Sequence, residues 1–125
     1  MSETLNDLRD VIYATNKANG WTEEHETGTW LALIHSEVSE ALEADRKEEH
    51  AELGRYELFL KNCASDDKKV AFEMFIKDTF EDELADVIIR VLDLCARRNV
   101  DIDAHVKAKL EYNRTRGYHH GNKNY

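Results

Sequence analysis

The chain has 125 residues, of which 42 % are hydrophobic and 34 % are charged, and its formal net charge is −9. This balance is typical of one globular domain with a hydrophobic core, so we predict a single domain over residues 1–125. The negative charge argues against a nucleic-acid polymer or an anionic membrane surface as a partner, because both are bound by basic surfaces.

The sequence shows no signal for a membrane or for export. No apolar run approaches the roughly 20 residues that span a bilayer. The N-terminal stretch MSETLNDLRD lacks the basic start and apolar block of a secretory signal. Cys63 and Cys95 match no metal or redox spacing, so we expect reduced thiols and a cytoplasmic protein.

The predicted elements are all helices. Leu5, Leu8, Val11 and Ile12 repeat at helical spacing and predict a first helix over residues 3–19, ending at Asn19-Gly20. A second helix is expected from Thr27 or Thr29 to Lys47. Residues 48–66 are compatible with a short helix and a turn. Residues 68–97 predict a helix that is either continuous or broken near Thr79.

The last predicted helix covers 102–115, with Asp101 as its N-cap. The tail over 117–125 has no periodicity and is basic, with His119, His120 and Lys123. The chain contains no proline, and no segment alternates like a strand. We therefore predict an all-α fold with a four-helix-bundle core, and a helical segment inserted between the second helix and the helix over 80–97.

Two pairs of acidic residues stand at helical spacing. Glu37 falls within the apolar stripe of Trp30, Ile34 and Ala41, and Glu40 falls beside Leu33. Residues three apart on a helix have Cβ atoms about 5–6 Å apart, so the two carboxylates would repel one another. Burial of either one alone would cost several kcal/mol. Such a pair needs a cation.

Glu83 and Asp86 form the second pair, on a helix whose apolar residues predict burial most of the way round. If the two helices face each other, four carboxylates converge, and such all-oxygen sites suit Mg²⁺ or Mn²⁺. The alternative is that each pair is a solvated acidic face, with Arg90 pairing with Asp86 one turn away.

The pattern Glu37-x-x-Glu40 followed by Glu83-x-x-Asp86 resembles the ExxE…ExxD signature of the MazG-like, all-α nucleoside triphosphate pyrophosphohydrolases. The likeness covers residues 28–47 and 79–123 well and 5–20 weakly, and residues 48–78 match nothing in that family. It implies a hydrolase that cleaves a nucleoside or deoxynucleoside triphosphate to the monophosphate and pyrophosphate. Glu37, Glu40, Glu83 and Asp86 would be the catalytic metal ligands for Mg²⁺, with Mn²⁺ as a substitute. The alternative is that one of the four, Glu40 or Glu37 before the others, orients or deprotonates the attacking water instead of binding the metal.

By resemblance to the family's K-x-x-x-N-x-x-R pattern, Lys109, Asn113 and Arg116 would bind phosphate. The alternative is a solvated basic helix end. Trp30 is a candidate for stacking on the nucleobase, although packing in the bundle core is the better explanation of it.

The resemblance also implies a homo-oligomer, and we expect a tetramer rather than a dimer. Two other functions stay open at this point. One is a binding module in which the carboxylates hold a structural divalent ion. The other is a phosphoribosyl-ATP pyrophosphohydrolase, whose fuller set of motifs is not found in this sequence.

Overall fold

A computed structural model describes residues 3–21, 23–62 and 67–116. Within these ranges the chain forms six α-helices and no strand, which confirms the predicted all-α fold. The helices are α1 (Leu5–Ala18), α2 (Thr27–Arg46), α3 (Leu53–Lys61), α4 (Lys68–Phe75), α5 (Phe80–Arg97) and α6 (Ile102–Thr115). None of them is both long enough and apolar enough to cross a membrane. Cys63 and the predicted basic tail over 117–125 lie outside the described residues.

The chain divides into two compact units, one formed by residues 1–22 and 92–125 and the other by residues 23–91. The four predicted metal-binding carboxylates all belong to the second unit. Lys109, Asn113 and Arg116 belong to the first. The four-helix arrangement of the core stays a prediction.

In the first unit, α1 and α6 cap one another. Thr4 accepts a hydrogen bond from the Asp7 backbone and Asp7 accepts one from the Thr4 backbone, so α1 begins with a capping box. The Asp103 carboxylate of α6 accepts hydrogen bonds from the backbone N–H groups of Leu5 and Asn6, at 3.1 and 2.9 Å. These donors lack partners within their own helix, so Asp103 ties the start of α1 to α6.

In the second unit, the inserted segment forms a helical hairpin of α3 and α4 through edge-to-face aromatic contacts. The ring centroids of Tyr56 and Phe72 are 6.4 Å apart, and those of Phe59 and Phe75 are 6.0 Å apart. The segment before α3 is joined to α5 through Glu81. One oxygen of its carboxylate accepts a hydrogen bond from the Ala51 backbone N–H, and the other lies 3.0 Å from Nδ1 of the His50 ring.

The long helix predicted over 68–97 is broken at residues 76–79. Asp78 has a φ of 63°, in the left-handed region, which ends α4 without a proline or a glycine. Thr79 then accepts a hydrogen bond from the Asp82 backbone N–H and caps the start of α5.

The prediction that α5 is buried most of the way round is wrong for the single chain. Leu84, Ile88 and Ile89 are 42, 56 and 40 % exposed. On α2 of the same unit, Leu31, Val38 and Leu42 are exposed as well. The apolar residues lie on these helices as the sequence predicts. Within the described residues, however, no other part of the chain fully covers these six side chains.

Candidate metal centre

The structure brings together three of the four predicted carboxylates. Glu37 on α2 and Glu83 and Asp86 on α5 each offer one oxygen, and the three oxygens lie within 4.8 Å of one another. Glu37 and Glu83 are only 8 and 7 % exposed, and Asp86 is partly buried. We call these three residues the carboxylate cluster.

Glu40 lies at the edge of the carboxylate cluster. It is solvent-exposed, and its carboxyl group interacts with those of both Glu37 and Glu83. The fourth predicted residue is therefore next to the other three, but it is the one that water reaches most easily.

Glu83 is the residue whose ionisation the surroundings oppose most. Burial, followed by the neighbouring Glu40 and Glu37 carboxylates, raises its pKa to about 8. Its Oε2 atom is buried and has no hydrogen-bond partner among the described residues. A buried carboxyl group without a partner for one oxygen is costly, so this atom points to a missing ligand.

Arg90 neutralises one member of the carboxylate cluster. Its Nε donates a hydrogen bond of 2.8 Å to Oε1 of Glu37, which joins α5 to α2. The alternative in which Arg90 pairs with Asp86 is therefore not what the structure shows. Burial acts to raise the pKa of Glu37, but the Arg90 hydrogen bond and the contacts with Glu40 and Glu83 outweigh it, so that the pKa lies below its usual value.

A second acidic group adjoins the carboxylate cluster and was missed in the sequence. Asp78, Asp82 and Glu83 also offer oxygens that lie within 4.8 Å of one another, so Glu83 belongs to both sets. Burial, followed by the charge of Asp82 and that of Glu37, raises the pKa of Asp86. The spacing of Asp78 and Asp82 in the sequence could have indicated this second group. The left-handed backbone at Asp78, which brings its carboxylate here, could not be predicted from the sequence.

The remaining predicted site residues lie elsewhere on their helices. Trp30 is partly buried on α2, and its ring packs edge-on against His25 at 4.7 Å. In the first unit, Lys109 and Arg116 flank the ring of Tyr112, at 5.3 and 5.5 Å from its centroid. Asn113 is partly buried, and its Oδ1 atom has no hydrogen-bond partner among the described residues. Lys109 and Arg116, the C-cap residue of α6, thus meet at one aromatic ring.

Comparisons with protein-family models, with curated proteins and with solved structures gave no match. The resemblance to MazG-like enzymes therefore stays a prediction that rests on the residues quoted above.

We expect the metal-free protein to lose stability as the pH rises from about 5 to about 8. In this range folded Glu83 keeps a proton that the unfolded chain releases near its ordinary pKa of 4.5, so the folded state binds more protons and its free energy of unfolding falls with pH. The raised pKa of Asp86 acts in the same direction. The lowered pKa of Glu37 acts in the opposite direction, but only below about pH 4.5.

Urea denaturation in EDTA at a series of pH values measures this trend. Saturating Mg²⁺ should flatten it, because a bound cation favours the ionised carboxylates. A metal-free stability that rises between pH 5 and pH 8 would contradict the assignment of a protonated Glu83.

Proposed function

We propose that this protein is a Mg²⁺-dependent hydrolase that cleaves a nucleoside or deoxynucleoside triphosphate to the monophosphate and pyrophosphate. The observation that carries the proposal is the convergence of Glu37, Glu83 and Asp86, of which Glu83 has a buried oxygen without a hydrogen-bond partner among the described residues. The ExxE…ExxD resemblance supplies the reaction class.

The residues of the carboxylate cluster fit a divalent cation. They provide only oxygen donors, which Mg²⁺ and Mn²⁺ prefer over the nitrogen and sulfur ligands typical of Zn²⁺. A cation would also offset the burial and the neighbouring carboxylates that raise the pKa of Glu83, and would give its Oε2 a partner. When bound, the ion would neutralise charge on the phosphates and activate the attacking water.

The side chains of the site then have separable roles. Glu37, Glu83 and Asp86 hold the cation, and Arg90 keeps Glu37 in place through its hydrogen bond. Glu40 is exposed beside the cluster, so it either completes the set of ligands or orients and deprotonates the water. Lys109, Asn113 and Arg116 are proposed to bind phosphate groups that the metal does not reach.

The exposed apolar side chains of the second unit support a homo-oligomer, and we propose a tetramer. Leu84, Ile88 and Ile89 of α5 and the exposed residues of α2 would be covered by other copies of the chain. Sedimentation equilibrium tests this, and a protein that stays monomeric at micromolar concentration would contradict it.

The test of the function is release of pyrophosphate from the common ribo- and deoxyribonucleoside triphosphates, with Mg²⁺, with Mn²⁺ and with EDTA. We expect release that requires metal and favours one base or sugar. Asp86→Asn and Glu40→Gln should each lower kcat/KM at least about 100-fold while leaving the helical circular dichroism unchanged. A folded protein that is stabilised by Mg²⁺ but releases no pyrophosphate from any of these substrates would instead favour the binding module.

A further inference from the structure

The second unit contains a groove that the proposed function does not yet use. Its volume is about 480 Å³, and it lies between α4 with the segment that follows it and one side of α5. It is lined by Lys69, Phe72, Glu73, Lys77, Asp78, Asp82 and Asp86. Five of these seven residues belong to the inserted segment over 48–78, which matches nothing in the family that the sequence resembles.

One side of the groove is continuous with the candidate metal centre. Asp86 belongs to the carboxylate cluster, and Asp78 and Asp82 form the second acidic group together with Glu83. Glu83, which belongs to both groups, is more than nine-tenths buried and has an oxygen without a hydrogen-bond partner among the described residues, which is an independent sign that a cation belongs beside these carboxylates. A ligand in the groove would therefore meet both groups of metal-binding oxygens.

The groove also carries two ammonium groups. Lys69 and Lys77 are exposed, and neither side chain forms an ion pair or a hydrogen bond within the part of the chain that the structure describes. They share the groove with Glu73 and three aspartates, which suits a ligand that is anionic and that itself binds divalent cations. A polyphosphate has both properties, because its oxygens accept hydrogen bonds from lysine and are bridged to carboxylates by Mg²⁺.

Phe72 gives the groove an apolar part. Its side chain is 37 % exposed, although its ring also contacts Tyr56 edge-on. An exposed aromatic ring beside the two lysines can contact a nucleobase or a sugar. Inorganic polyphosphate has neither group, so it would gain nothing from this contact.

We propose that this groove holds the triphosphate of the substrate, with Lys69 and Lys77 contacting phosphate oxygens and the nucleoside lying against Phe72. The inference rests on the proposed function and extends it, since it makes the inserted segment a part of the substrate site. Lys69 and Lys77 would then share the phosphates with the cation held by the carboxylates of α5.

The experiment is titration calorimetry of the full-length chain in Mg²⁺ with two kinds of probe. One is inorganic tripolyphosphate, and the other is the set of α,β-methylene analogues of the common nucleoside triphosphates, which resist cleavage at the expected bond. The double variant Lys69→Gln/Lys77→Gln should bind both kinds at least about tenfold more weakly than the wild type. Phe72→Leu should weaken binding of the nucleotide analogues and leave that of tripolyphosphate unchanged.

Lys68→Gln is the matched control, because Lys68 is exposed on the same helix but does not line the groove. Its affinities should stay within about twofold of the wild-type values. Circular dichroism and the affinity for Mg²⁺ alone should be the same for all variants, which separates loss of phosphate contacts from loss of the fold or of the metal.

The outcomes separate this inference from the proposed function. Wild-type affinity of the double variant for both probes, together with unchanged release of pyrophosphate, would overturn the groove assignment and leave the enzyme intact. Binding of tripolyphosphate that depends on the two lysines, without cleavage of any nucleotide, would support the groove and overturn the hydrolase. A wild-type protein that binds neither probe would overturn the groove assignment.

Discussion

Replacing Glu83 with glutamine should abolish metal-dependent release of pyrophosphate and, at the same time, stabilise the metal-free protein at alkaline pH. Glu83 is the residue shared by both acidic groups, so its loss removes an oxygen ligand from each of them. We expect kcat/KM to fall at least about 100-fold, together with a large loss of Mg²⁺ affinity. The measurements are pyrophosphate release and calorimetric titration with Mg²⁺.

The gain in stability follows from the same residue. Above pH 8 the wild-type protein must ionise a buried carboxyl group that lies beside Glu37 and Glu40. A glutamine in its place carries no charge, and its amide can donate hydrogen bonds to those two carboxylates. In EDTA at pH 9 the free energy of unfolding should therefore increase by roughly 1–3 kcal/mol.

Glu57→Gln is the matched control for this experiment, because Glu57 is exposed on α3 and belongs to neither acidic group. Its activity and its stability should be those of the wild type. If Glu83→Gln kept normal activity, the carboxylate cluster would not be the active site. If it were less stable than the wild type in EDTA at pH 9, the buried carboxyl group would not be the source of the pH dependence.

The helices of this chain could be predicted from the sequence because their signals are local. The last helix begins and ends where its periodicity and the N-cap Asp101 place it, over Ile102–Thr115. The predicted second helix over 27–47 is observed as Thr27–Arg46. Capping residues and apolar spacing act within a few residues of the chain, so they can be read without knowing what the helix packs against.

The backbone turns between helices were harder to predict, for a physical reason. Glu48, Asp78 and Asn99 have positive φ values without being glycine. Asparagine and aspartate adopt this conformation more readily than other residues with a side chain, but both are common in other conformations, so Asn99 and Asp78 give only a weak local signal and Glu48 gives none. The left-handed turn at Asp78 divides α4 from α5 and creates the second acidic group, which is why that group was missed.

The candidate site was likewise predicted only in part, because some of its features are local in the sequence and others depend on packing. The spacing of Glu37 with Glu40 and of Glu83 with Asp86 predicted that each pair lies on one face of its helix, because residues three apart share a face. It did not predict that Glu40 would be exposed while Glu37 is buried. It did not predict that Arg90 would reach across to Glu37, since that pairing depends on how α2 and α5 approach each other. The same holds for the groove, whose two walls come from elements that the sequence pattern leaves unrelated.

Replacing Arg97 with leucine should cause the largest loss of stability in the first unit. Its side chain is only 2 % exposed and donates a hydrogen bond of 2.7 Å to Asp93, whose side chain is 7 % exposed. Arg97 also donates to the backbone carbonyl of Trp21, and Asn16 donates to the other oxygen of Asp93. Without Arg97, Asp93 would be a buried charge with Asn16 as its one hydrogen-bond donor among the side chains that the structure describes, so the free energy of unfolding should fall by about 3–5 kcal/mol.

Arg114→Leu provides the contrast within the same unit. Arg114 also pairs with a carboxylate, that of Glu111, at 2.8 Å, but its side chain is 73 % exposed. Loss of this surface pair should cost no more than about 1 kcal/mol, since water screens it. Urea denaturation of both variants measures the difference, and the double variant Asp93→Asn/Arg97→Leu should recover part of the loss because it removes the stranded charge. Equal effects of the two single substitutions would show that burial of Asp93 and Arg97 contributes nothing beyond an ordinary surface ion pair.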